Sequence, residues 1–125
     1  MANTIESLIE KWQIKAENDL KTIANELASS NPVTDTICYH SQQAAEKYLK
    51  LFLIAKNVNP QKTHNIAILL KKCREFDPAF EQLSGLEYLT DYAVELRYPD
   101  TFYVPKPDEA IEAAENAKRV KELVL

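Results

Sequence analysis

One glycine, Gly85, stands in a chain of 125 residues. Tight β-turns and glycine-built phosphate loops depend on that residue, because it alone takes positive φ without steric cost. A chain so poor in glycine is not one of hairpins, and it carries no glycine phosphate cradle. It is expected to fold from helices joined by short polar or proline-containing links. The apolar pattern agrees. It never alternates strictly with a period of two, and it recurs at steps of three and four.

Five segments carry that pattern. The first runs from about 4 to 28, with Ile5, Leu8, Ile9, Trp12, Ala16, Leu20, Ile23 and Leu27 on one stripe, Asn3 and Glu6 as a capping box, and "SSNP" as its stop. The second, from about 34 to 57, is apolar over more than half its circumference and must touch several neighbours; its other arc holds His40, Gln43, Lys47 and Lys50. The third runs from about 64 to 76 with Thr63 as N-cap, and Asp77-Pro78 opens a short helix through about 82. The fourth, from about 85 to 97, starts at a Ser84/Glu87 capping box and is stopped by Pro99. The fifth runs from about 107 to 124, with Pro107 in its first turn and a face of small residues from Ala110 to Ala117. Short links make consecutive helices antiparallel neighbours. The expected fold is all-α: a single domain over 1–125, an up-and-down four-helix bundle with a short extra helix.

Charge narrows the function. Fifteen Lys and Arg face 19 Asp and Glu, a net charge of −4. Nucleic-acid binders carry a basic footprint, so such binding here needs a local patch or a second subunit. No apolar run is long enough to span a membrane. The start "MANTIESLIEK" is amphipathic and acidic, unlike a signal peptide, and a cytoplasmic setting with two reduced thiols is expected. Cys38, His40, His64 and Cys73 match no zinc spacing, so neither metal nor cofactor is expected.

Several local patterns stand in one order: Trp12, Ala16 and Asn18-Asp19-Leu20; "SQQAAEKYLKLFL" from Ser41 to Leu53; "KTHNIAILL" from Lys62 to Leu70; "LRYPD" from Leu96 to Asp100; and an alanine-rich last helix. Together they resemble the HEPN domain, the higher eukaryotes and prokaryotes nucleotide-binding family. The resemblance covers nearly the whole chain. It implies a four-helix bundle that forms homodimers, partnered by a minimal nucleotidyltransferase in a toxin–antitoxin-type pair, with RNA or a nucleotide as ligand. Many members are metal-independent ribonucleases that use an Arg followed, after four to six residues, by a His. Arg97 matches the Arg, whereas Phe102, Tyr103 and Val104 occupy the positions of the His.

The candidate site follows from these residues. Arg97 on a helix end can fork onto a phosphate, or pair with Asp100, Asp91 or Glu95. Asp19 lies inside the apolar stripe of the first helix and needs a partner, because an unpaired buried carboxylate is costly. Arg97, His64, Lys47 and Lys50 are its candidates. Ligand contact is assigned to Arg97, Lys47, Lys50, Asp19 and Asp100. Were the chain a ribonuclease, Arg97 would act with Tyr103 or His64 in place of the absent His. His64 is otherwise expected to help close a helix entrance. Tyr98, Phe102 and Tyr103 form an aromatic cluster suited to a dimer contact.

Overall fold

The computed structural model describes residues 4–93 and 103–125. The described residues hold no strand, and the all-α class holds. The α-helices are α1 (Thr4–Leu27), α2 (Thr34–Ala55), α3 (Ile66–Phe76) and α4 (Pro107–Val124). Two 3₁₀ stretches, η1 (Pro78–Leu83) and η2 (Leu86–Tyr92), lie between α3 and α4.

α2 is the axis of the molecule. It packs along α1 and along α4, and it also meets α3 and η2, while α1 and α4 barely touch. Its broad apolar arc explains this, for Cys38, Ala45, Tyr48, Leu49 and Leu53 all enter one core cluster. α4 meets that core through Ala110, Ala113, Ala114 and Ala117, small residues that let two backbones approach closely. At the α1–α2 turn, the Val33 amide donates to the Glu26 carboxylate at 2.7 Å.

Where an α-helix is expected from about 85, the chain takes 3₁₀ geometry over Leu86–Tyr92. The cause is legible in the spacing. Phe80, Leu83, Leu86, Leu89 and Tyr92 are each three residues apart, and all are buried. A period of three matches the three residues per turn of a 3₁₀ helix and drifts on an α-helix. Gly85, at φ 100°, joins the two stretches in a conformation that suits glycine. The rest of the expected fourth helix, residues 94–97, lies outside the described residues.

The caps also differ from expectation. Asn65, not Thr63, caps α3, accepting from the Ile68 amide at 3.1 Å, while Thr90 of η2 accepts from the Ile66 amide at 2.9 Å. Thr63 instead accepts from the Asn65 amide. The Ser84 hydroxyl donates to Glu81, and the Gly85 amide donates to Glu87 in place of a capping box. Asp77 caps η1 through the Ala79 amide, and Pro107 opens α4, both as expected.

The α1 stripe is buried only in its second half, through Ala16, Asp19 and Ile23. Ile5 and Leu8 remain 44% and 43% exposed. Among the described residues α2 is the one extensive neighbour of α1; Ile9 and Trp12 are half-buried, and the start of the stripe is left uncovered. Burial predicts the stability contrast. Leu49→Ala, at a fully buried site, should cost about 3 kcal/mol in urea denaturation. Ile5→Ala should cost under ~1 kcal/mol, as surface substitutions do.

Candidate functional site

The polar arc of α2 is a hydrogen-bonded seam built on two carboxylates. The first is Asp19 of α1. It accepts from Lys47 Nζ at 2.6 Å and faces His40 Nδ1 at 2.7 Å. An ionised carboxylate only accepts, so His40 Nδ1 carries the hydrogen. Of the four partners the sequence offers Asp19, Lys47 takes the place and His40 joins it. Lys50 and His64 turn to the second carboxylate, and Arg97 lies outside the described residues.

That second carboxylate is Glu46, and it joins α2 to the loop before α3. Lys50 Nζ lies 2.9 Å from it along α2, His64 Nδ1 2.9 Å from it in the loop before α3, and Gln42 Nε2 3.0 Å from it one turn back. Gln42 also donates to the His64 carbonyl at 3.0 Å and accepts from Gln43 at 2.6 Å. Burial pushes the Glu46 carboxyl up, but the hydrogen bonds from Lys50, His64 and Gln42, with the Lys50 charge, outweigh it and hold the group below its ordinary 4.5. His64 therefore clamps the loop onto α2 rather than capping α3. Its side chain is still 68% exposed.

Beside the seam lies a shallow groove of about 430 Å³ bordered by Leu8, Lys11, Trp12, Lys15 and Lys47. Lys50 Nζ sits over the Trp12 ring, 5.8 Å from its centroid, within cation–π range. Lys11 and Lys15 are exposed. Neither they nor Trp12 were expected in the site, although the sequence holds a signal. At 100° per residue, Lys11 and Lys15 fall on the flank of α1 beside Trp12, while Glu6, Glu10 and Glu17 fall on the far side.

Tyr103 is elsewhere. Its phenol and that of Tyr92 both donate to the Glu109 carboxylate on the first turn of α4. The bond to Glu109 raises the Tyr103 phenol above its ordinary value, and its hydrogen is already given to that carboxylate. Cys38 and Cys73 are buried free thiols, each pushed up to about 12 chiefly by burial. Among the described residues no three His, Cys, Asp or Glu side chains gather as a metal would require. Tyr98, Asp100 and Phe102 lie outside the described residues with Arg97.

Fold and seam together define an α-helical bundle domain whose central helix presents a charged face. A family model described as the HEPN domain matches residues 9–125, and the chain belongs to that family. Membership makes it, at family level, a nucleotide- or RNA-related module. No curated protein and no solved structure matches it. Among the described residues no helix is long and apolar enough to cross a membrane.

Glu46 sets a stability signature. Its folded-state value is depressed, so its contribution is present above about 4.5 and is lost as pH falls through the lower folded value. At pH 7, Glu46→Gln should destabilise by about 3 kcal/mol, because Lys50 keeps a buried charge without its carboxylate. In urea titrations from pH 7 to pH 3, wild type should lose stability below about 4.5 more steeply than Glu46→Gln.

Proposed function

We propose that this HEPN domain is a nucleotide- or RNA-binding interaction module that acts as a homodimer and partners a minimal nucleotidyltransferase in a toxin–antitoxin-type pair. Local charge carries the reading. Lys11, Lys15, Lys47 and Lys50 gather around Trp12 against two carboxylates, Asp19 and Glu46, on a chain whose net charge is −4. This supplies the local patch that an acidic protein needs in order to hold a polyanion. Arg97 and Asp100 join the site on the strength of the sequence motif alone.

One observation favours a second reading, a metal-independent ribonuclease. Glu46 holds His64 Nδ1 while the imidazole stays accessible, the arrangement of an oriented general base. Tyr103, committed to Glu109, does not suit that role.

The tests separate these readings. Light scattering should give twice the 14.3 kDa chain mass. A nucleotide or short RNA should raise the melting temperature in proportion to the logarithm of its concentration, as linkage requires. A nucleotidyltransferase encoded beside the chain should co-purify with it. A monomer indifferent to nucleotides and RNA would overturn the binding reading. Metal-free RNA cleavage that is lost in Arg97→Ala and His64→Ala would establish the ribonuclease instead.

A further inference from the structure

We propose that the groove along the first half of α1 is a stacking site for single-stranded polynucleotide, with Trp12 as the platform for a base and Lys11, Lys15 and Lys47 as the phosphate contacts. The inference rests on the binding reading above and gives it a place and a ligand class.

Three features point to this occupant. Trp12 borders the groove with Leu8, and together they offer an aromatic and an aliphatic surface to a base. Lys50, buried and paired with Glu46, lies over the indole and helps fix its position. Lysines flank the platform: Lys11 and Lys15 stand one turn apart on the exposed flank of α1, and Lys47 reaches in from α2. Lys47 gives Asp19 one hydrogen bond at 2.6 Å, and an ammonium has two further hydrogens. Asp19 thus holds Lys47 in place without using up its donors.

The groove's shape selects a strand over a free nucleotide. It is shallow, and among the described residues its lining, Leu8, Lys11, Trp12, Lys15 and Lys47, has no side-chain amide to read a base edge. A mononucleotide site is normally a cleft that encloses its ligand. An open aromatic step beside a row of cations is instead the arrangement of sequence-tolerant single-strand binding. A duplex keeps its base faces stacked on one another and cannot use the platform.

Trp12 is the one tryptophan in the chain, so its fluorescence reports on this groove alone. The full-length protein should be titrated with an eight-nucleotide single-stranded RNA, with the same RNA as a duplex, and with AMP. The single strand should quench Trp12 fluorescence with saturation; duplex and AMP should bind at least ~10-fold more weakly. Log affinity should fall with log salt at a slope of about −2, from about 0.7 per phosphate neutralised at three lysines. The exposed pair Lys11→Gln/Lys15→Gln should bring that slope to about −0.7 without affecting the fold. Trp12→Leu should weaken binding ~10-fold by anisotropy of a labelled strand. Binding that leaves Trp12 fluorescence and the double lysine variant unchanged would place the strand elsewhere, and the binding reading would survive. Absence of binding by any probe would remove both. Fluorescence that shifts with protein concentration but not with RNA would assign the groove to a protein contact and overturn the proposal.

Discussion

Everything near the site depends on how the central helix keeps charges out of water. α2 is apolar over most of its surface, so neighbours close around it, and they bury Gln42, Glu46 and Lys50 along with the leucines. A buried carboxylate or ammonium on its own is costly. Glu46 resolves this by taking a cation from its own helix, an imidazole from the next loop and an amide from the preceding turn. Asp19 does the same between α1 and α2 with Lys47 and His40. The seam therefore stabilises by avoiding unpaired charge. It also fixes register, since each carboxylate joins residues from two elements.

That arrangement was partly legible in the sequence. An acidic residue inside an apolar stripe signals a buried partner, and Asp19 has two. The four-residue spacing of Glu46 and Lys50 predicts a pair that forms. Periodicity on one helix cannot choose among cations brought near by folding, so Lys50 and His64 looked as suitable for Asp19 as Lys47. The cap of α3 is ambiguous in the sequence for a related reason. Thr63 and Asn65 both suit a cap, and Thr90, distant in sequence, satisfies the Ile66 amide once the start falls at Asn65.

The segment from Phe80 to Tyr92 shows how a pattern can be recognised and still misassigned. Apolar residues at three-residue steps suit one face of a short α-helix as well as one edge of a 3₁₀ helix. The strict repeat favours the tighter winding, and Gly85 interrupts it where positive φ is needed. On α1, periodicity correctly gave the stripe but not its coverage. An amphipathic pattern shows which side could be buried; only the neighbours decide how far along the helix burial extends. Ile5 and Leu8 lie on the correct side and remain exposed.

Net charge is a poor guide to what this chain attracts. Charges in water are screened beyond roughly 8 Å at physiological salt, less than the diameter of a helix with its side chains. Along the first half of α1, Glu6 and Glu10, with Glu17 just beyond, fall on the flank away from Trp12, so screening weakens their field at the groove. Asp19 and Glu46 lie closer, but each is engaged by a cation of the seam. Lys11 and Lys15 are then the charges an approaching phosphate meets first. Segregation of opposite charges across a single helix allows an acidic domain to present a basic face, and the sign of the whole chain is no argument against it.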